Sequence, residues 1–261
     1  MTLDGFEQDT FTDAGETKTV YRAGSGPAVI VISEMPGITP NVAAFAQRVV
    51  AIGCSVTLPV LFGQPGREVG VPYALRSLTG GCVSREFSTI ALRRTSPVTT
   101  WLRALAKHEH ERCGGPGVGV VGMCFTGGFA LGMMVDDTVL APVLSQPSLP
   151  FPVSKKHKAD VGISDADLAR VKERTAEGVD VLGLRFTCDR LSPGERFETL
   201  RRELGDRFIG VEIDSSEGNP NGLAKGAHSV LTEHLVDEPG HPTHDALQQV
   251  LDLFRTRLLS G

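Results

Sequence analysis

The sequence predicts an α/β fold, with a mostly parallel central sheet and helices on both faces. Short apolar runs rich in β-branched residues alternate with longer segments whose apolar residues recur at helical spacing. The runs at residues 28–33 and 118–123 are apolar throughout, which is typical of strands buried on both faces of a parallel sheet. The chain has 261 residues, enough for a sizeable core, so we predict a single domain over residues 1–261.

The predicted elements follow one another in the order that parallel crossover units require. An edge strand at 17–22 is followed by strands at 28–33, 54–58, 118–123, 139–144, 181–187 and 207–213. Helices are predicted at 41–52, 125–134, 165–176, 193–204 and 247–258. A further helix starts with Ser96 as N-cap and Pro97 as its first residue, and should end by Gly114. The stretch 145–160 is predicted to be a loop.

Residues 63–96 form an irregular insertion rich in proline, glycine and arginine. A long irregular insertion in a compact domain is often a binding loop or a lid. A solvated loop with some short helix is the other interpretation of the same composition.

Composition argues against several classes of partner. The net charge is −5, and the only basic cluster is Lys155, Lys156 and Lys158, so neither nucleic acid nor an anionic membrane is expected. The N-terminus is acidic and has no apolar core of a signal peptide, and no apolar run approaches the ~20 residues of a membrane span. Five cysteines without metal-like pairing indicate free thiols in a reducing compartment, so we expect a cytoplasmic protein without metal or organic cofactor.

Cys124 lies at the junction between the predicted strand 118–123 and a glycine-rich helix. A sharp strand-to-helix turn with small neighbours projects one side chain at the top of a sheet, as in a nucleophile elbow. A helix beginning just after Cys124 would direct free N–H groups at the sulfur and favour the thiolate. The alternative is that Cys124 is a small buried hydrophobe, as free cysteines often are.

Three further polar residues follow two other predicted strands and the last loop. Glu34, Asp189 and His228 occupy the carboxyl edge of the sheet with Cys124, where ligands of such sheets bind. The order nucleophile, acid, histidine is that of α/β-hydrolases. Asp214 competes with Asp189 because it follows the last strand, whereas Asp180 and Asp206 precede strands. The histidines that compete with His228 are His234, His241 and His244; the last two are a weak metal signal without further ligands.

Four ordered motifs resemble the dienelactone hydrolase family: VIVISEMPGITPNVAAFAQRVVAIGCSVTLPVLFG, GVVGMCFTGG, FTCDRLSP and GAHSVLT. The resemblance runs from about residue 15 to the C-terminus. It implies an α/β-hydrolase fold and cleavage of a small ester or lactone, of the carboxymethylenebutenolidase type, through an acyl-thioester on Cys124. It further implies that His228 orients the cysteine, that Asp189 holds His228, and that Glu34 can take the thiol proton.

The same resemblance implies an oxyanion hole made by the backbone N–H groups of Met35 and Phe125. Two positions depart from the family pattern. Thr126 stands where the elbow usually has glycine, and Thr232 stands where the dienelactone-processing members have an arginine that grips the substrate carboxylate. The candidates for a replacement are arginines of the insertion, namely Arg85 and Arg93, and also Arg76 and Arg94.

Two other functions fit parts of the sequence. Residues 117–122 formally match the GxGxxG dinucleotide fingerprint, but these glycines lie inside a strand, and Asp136 and Asp137 come too early for the ribose-binding acid. A non-catalytic thiol sensor or small-molecule-binding protein on the same fold would use Cys124 for reversible oxidation. A complete triad favours the enzyme, because such a set is hard to explain without catalysis.

Overall fold

The computed structural model describes residues 3–68 and 96–260. Its strands form one eight-stranded sheet in the order β1-β2-β4-β3-β5-β6-β7-β8. Strand β2 is antiparallel to both β1 and β4, and every other pair is parallel, which confirms the predicted fold class. The strands are β1 (Glu7–Asp13), β2 (Glu16–Gly24), β3 (Ala28–Ile32), β4 (Ser55–Pro59), β5 (Val118–Met123), β6 (Val139–Ser145), β7 (Val181–Phe186) and β8 (Phe208–Ile213).

Helices cover both faces of this sheet. Three of them begin with a proline behind a side-chain cap: Thr39 accepts from Val42 N at 3.2 Å, Ser96 from Thr99 N at 3.1 Å, and His241 from Thr243 N at 3.3 Å. The predicted cap at Ser96 is therefore confirmed. The helices are α1 (Pro40–Ala51), α2 (Pro97–Cys113), α3 (Gly127–Met133), α4 (Lys155–Ala159), α5 (Asp165–Ala176), α6 (Gly194–Leu204) and α7 (Pro242–Phe254), which continues as a π-helical turn (Arg255–Leu259).

Each face of the sheet has its own hydrophobic core. In β3, Val29 and Val31 face the core that contains α1 and α7, whereas Ile30 and Ile32 face the core that contains α2 and α6. Successive side chains of a strand point to opposite faces. Both faces of β3 are therefore covered, which explains why its sequence is apolar without alternation. Because β3 is a central strand, the residues just after it lie near the middle of the carboxyl edge of the sheet.

The structure corrects three local predictions. Strand β1 was not predicted, so the sheet edge is β1 rather than the strand predicted at 17–22, which corresponds to β2. The predicted loop 145–160 contains the short helix α4. A 3₁₀ turn (Cys124–Thr126) separates Cys124 from α3, so the helix begins at Gly127 and not directly after the cysteine.

Most of the predicted insertion falls outside the described residues. Its candidate substrate-binding arginines, Arg85 and Arg93, lie there together with Arg76 and Arg94. In the described ranges, no helix is both long enough and apolar enough to cross a membrane.

Candidate active site

Cys124 sits in a strained turn at the carboxyl end of β5. Its φ is 56°, a left-handed conformation that is uncommon for a residue with a side chain, and it is 6% exposed. Two glycines make the turn possible. A Cβ on Gly122 would lie 2.2 Å from the Thr126 carbonyl oxygen, and one on Gly127 would lie 2.6 Å from Pro147 Cβ. The backbone therefore has the sharp strand-to-helix form that the sequence predicts.

Thr126, the first departure from the family pattern, has a defined role in this turn. Its Oγ1 accepts from Met123 N at 2.8 Å and donates to the Ile32 carbonyl at 2.9 Å. The hydroxyl thus joins the end of β5 to the end of β3, two residues before Glu34. A glycine at this position could not form that bridge.

The structure brings His228 and Asp189 together. His228 Nδ1 lies 2.7 Å from Asp189 Oδ2, and Asp189 Oδ1 accepts from Leu191 N at 2.9 Å. Burial lowers the pKa of His228, but the hydrogen bond with Asp189 and the interaction with Cys124 outweigh it and raise that pKa to about 11. His228 Nε2 is buried, and no described residue forms a hydrogen bond of normal geometry with it. Cys124 therefore influences the pKa of His228 from nearby without such a hydrogen bond.

The competing acid and histidines have other partners. Asp214 is exposed and accepts from Ser216 N at 2.9 Å. His234 Nδ1 accepts from the backbone N–H of Ser229 at 3.2 Å and so supports the loop that carries His228. His241 caps α7, and His244 lies 2.9 Å from Asp237. Within the described part of the chain, no group of three or more metal-ligating side chains occurs.

Glu34 is buried directly after β3, with 4% of its surface exposed. Its Oε2 accepts from Ser229 Oγ at 2.5 Å and from Gln146 Nε2 at 3.2 Å, and its Oε1 accepts from Thr232 Oγ1. Burial raises the pKa of Glu34, and the hydrogen bonds from Ser229 and Thr232 oppose that rise only in part. These contacts join Glu34 to the loop after His228.

Thr232, the second departure, is therefore a buried partner of Glu34 and is 6% exposed. Its single hydroxyl hydrogen is directed to the Glu34 carboxylate. None of the hydrogen bonds between described residues joins Glu34 to Cys124.

Met35 and Phe125 lie next to the residues just described. Phe125 is the second residue of the 3₁₀ turn, and its ring meets that of Phe151 edge to face at 5.4 Å. Met35 follows Glu34 and is partly exposed. Their backbone N–H groups as an oxyanion hole stay a prediction.

Sequence reasoning missed the turn that follows β6. Ser148 N donates to the Cys124 carbonyl at 2.9 Å, and Gln146 bridges Glu34 and the backbone of Val230. The signal was available, because residues 145 and 146 are polar and follow a predicted strand, the same rule that selects Glu34 and Asp189.

Arg196, a buried arginine of α6, donates hydrogen bonds to the backbone of the segment that follows β6. It donates to the carbonyls of Asp160 and Pro150 at 2.6 Å and also to those of Pro147 and His157. Burial lowers its pKa to about 10, against the attraction of Asp160 and Asp189. No sequence signal indicates this role, since an arginine in a polar helix is usually exposed.

A cleft of about 450 Å³ opens beside the His228–Asp189 pair. Two of its lining residues, Arg190 and Lys225, are exposed cations that form no ion pair with any described residue. The remaining lining residues are Cys188, Leu191 and Gly226, together with Asp189 and His228.

Comparisons with known proteins show the family and the fold of this chain. The model of the dienelactone hydrolase family matches residues 16–258. A Klebsiella pneumoniae protein named as a dienelactone hydrolase is 17% identical, with a TM-score of 0.63 over 95% of this chain and 97% of the other. A cold-adapted esterase from an Arctic intertidal metagenomic library is 15% identical, with a TM-score of 0.58 over 96% and 92%. A comparison with curated protein sequences finds no match.

Proposed function

Because the chain belongs to the dienelactone hydrolase family, we propose that it hydrolyses a small carboxylic ester or lactone through an acyl-thioester on Cys124. The observation that carries this proposal is the strained cysteine, at φ 56°, beside a buried His228–Asp189 pair joined at 2.7 Å. A nucleophile, a base and a group that orients the base are the parts that acyl transfer requires.

The protonation of His228 sets the order of steps. Since its pKa is raised to about 11, His228 holds a proton at neutral pH, so in this proposal the proton of the Cys124 thiol goes to Glu34 when the nucleophilic thiolate forms. The thiolate attacks the ester carbonyl carbon, and the carbonyl electron pair moves to oxygen, where the N–H groups of Met35 and Phe125 would stabilise it. Collapse of this intermediate expels an alkoxide, which takes the proton from His228 and leaves the acyl-thioester.

Hydrolysis of the acyl-thioester restores the starting state. Neutral His228 removes a proton from water as the water attacks the thioester carbonyl. The carboxylic acid product leaves, the thiolate re-forms, and His228 is again an imidazolium. Asp189 holds the imidazole orientation throughout both halves of the reaction.

Glu34 is the second proton carrier in this proposal. A carboxyl group whose pKa is raised by burial can exchange a proton closer to neutral pH than an exposed one. Because its oxygens are bound to Ser229, Gln146 and Thr232, proton transfer from Cys124 to Glu34 requires rotation of the glutamate side chain.

The position of Thr232 bears on the substrate. Its hydroxyl is committed to Glu34, so it does not replace the family arginine as a partner for a substrate carboxylate. Arg190 and Lys225 in the cleft are cations near His228 that could take this part, and Arg85 and Arg93 stay candidates outside the described residues. We propose an ester or lactone of small size, with acidic substrates favoured over basic ones.

The first experiment compares turnover of a short p-nitrophenyl ester and of a dienelactone by the wild type and by Cys124→Ala. Loss of at least ~10³-fold in kcat in the variant, with an acylated Cys124 trapped in the wild type, is the expected result. Cys113→Ala is the matched control, because Cys113 is a free cysteine that ends α2 before β5 begins, whereas Cys124 lies after the opposite end of β5. A folded wild type that turns over neither ester, yet oxidises Cys124 reversibly with peroxide, would instead favour the thiol sensor.

A further inference from the structure

Gln146 has an unusual backbone for a buried glutamine. Its φ is 36°, and its side chain is 0% exposed at the carboxyl end of β6. Among the described residues other than glycine, a positive φ occurs elsewhere only at Ala14 and Cys124. Ala14 lies between β1 and β2, and Cys124 is the proposed nucleophile. Strained residues persist where surrounding contacts hold them, and they cluster at functional sites.

The Gln146 side chain connects Glu34, which follows β3, to the loop that carries His228. Its Nε2 donates to Glu34 Oε2 at 3.2 Å, and its Oε1 accepts from Val230 N at 3.3 Å and from Ser145 Oγ. Val230 lies two residues after His228. The Val230 N–H requires an acceptor, so the amide oxygen must face it and the amide nitrogen must face the glutamate.

The backbone of the same turn also contacts the segment that carries Cys124. Gln146 N donates to the Leu184 carbonyl at 2.7 Å, which fixes the turn to β7. Two residues later, Ser148 N donates to the Cys124 carbonyl, and Ser148 Oγ donates to the Gln146 carbonyl at 2.9 Å. Through side chain and backbone, the turn at Gln146 therefore contacts the segments that carry Glu34, His228 and Cys124.

We propose that Gln146 is a positioning residue that holds the Glu34 carboxylate against the loop of His228 and supports the ionised form of that carboxylate. Its consequence for catalysis rests on the function proposed above, whereas its effect on Glu34 does not. Among the described side chains that donate to the Glu34 carboxylate, Gln146 alone does so from an amide, which cannot rotate a hydrogen away as the hydroxyls of Ser229 and Thr232 can.

Two variants test this role. Gln146→Met keeps the side-chain length and removes the three side-chain hydrogen bonds, to Glu34, Val230 N and Ser145 Oγ. Gln146→Glu keeps the acceptor for Val230 N and places a second carboxyl group beside Glu34. Loss of a hydrogen bond to a charged group should raise the pKa of Glu34 by about one unit in the first variant. The shift should be larger in the second, because neighbouring carboxyl groups disfavour double ionisation.

The readout is the titration of Glu34 by ¹³C NMR of glutamate carboxyl carbons, assigned with Glu34→Gln, together with the acid limb of kcat/KM. The matched control is Thr57→Val, which removes a buried hydrogen bond of 2.9 Å to Glu109, a carboxylate that contacts none of the site residues. This control should lower the melting temperature and leave the Glu34 titration unchanged.

An unchanged Glu34 midpoint in both Gln146 variants would overturn the positioning role, whatever the turnover. A shifted midpoint in a protein without Cys124-dependent turnover would support the contact and overturn the proposed function alone. Should Gln146→Met fail to fold, the isosteric Gln146→Glu decides the outcome by the same NMR measurement.

Discussion

Replacing Glu34 by glutamine should make stability less sensitive to pH. The carboxylate is fully buried among neutral donors, so burial raises its pKa above the value of 4.5 that it has when exposed. A carboxyl group with a raised native pKa favours folding while it is protonated, and this contribution is lost as pH rises from 4.5 through the native pKa. Glu34→Gln lacks this loss, because its amide does not titrate.

The size of the effect follows from proton linkage. Between pH 4.5 and the native pKa, the unfolding free energy of Glu34→Gln should gain on the wild type by up to about 1.4 kcal/mol per pH unit. Above that pKa the difference should be constant. The glutamine fits the site, since its oxygen can accept from Gln146 and Ser229 while its amide donates to the Thr232 hydroxyl, which rotates to accept.

Urea unfolding from pH 3 to pH 9 measures this difference, and stopped-flow burst kinetics measures acylation, which we expect to slow. Glu109→Gln is the matched control with the opposite sign. Burial raises the pKa of Glu109, but hydrogen bonds from Arg22 and Arg112 outweigh it and lower that pKa, so its stabilising contribution is present above pH 4.5 and lost at lower pH. Parallel pH–stability curves for Glu34→Gln and wild type would refute the raised pKa, and an unchanged burst would remove Glu34 from the mechanism.

Thr126→Val should lower the unfolding free energy by roughly 2 kcal/mol without a change in the urea m value, because Met123 N loses its acceptor in a buried turn. The control is Thr12→Val, at an exposed position of β1. A loss of stability no larger than that of the control would contradict the bridge between β3 and β5. Asp189→Asn should lower kcat at pH 7 by roughly 10³–10⁴-fold. Its stability deficit should be largest near pH 6 and shrink as pH rises from 6.5 towards 11, since the raised native pKa of His228 favours folding only while the ring is protonated. A deficit that grows with pH in this range would show that Asp189 does not stabilise the imidazolium.

The parts of the site that could be predicted are those whose signal is local. Cys124 follows a buried strand and precedes glycines, and Glu34 and Asp189 lie within three residues of the ends of β3 and β7, whose apolar runs are visible in the sequence. The strand order then brings these ends to one edge of the sheet, because parallel strands share their carboxyl side. His228 was chosen partly by the family resemblance, and its 2.7 Å contact with Asp189 supports that choice.

The parts that could not be predicted depend on long-range contacts or lack a periodic signal. Strand β1 is polar and mostly exposed on both faces, so it has no alternation of apolar residues to detect. Arg196 sits in a polar helix, and its burial depends on the carbonyls of residues 147–160, which precede it by dozens of positions. Thr232 and Glu34 lie 198 residues apart, and sequence spacing carries no information on such a hydrogen bond.

The neutral hydrogen-bond donors of Glu34 distinguish this site from one in which an arginine follows the histidine by four residues. An adjacent guanidinium would keep the carboxylate ionised, as Arg22 and Arg112 do for Glu109. Here the donors are two hydroxyls and one amide, which satisfy the oxygens of Glu34 and leave burial as the dominant influence on its pKa. A carboxyl group whose pKa is raised by burial can take up a proton, whereas one that is paired with a guanidinium stays ionised. Under the proposed function, Thr232 in place of the arginine would therefore let Glu34 exchange a proton with Cys124 instead of holding a fixed charge.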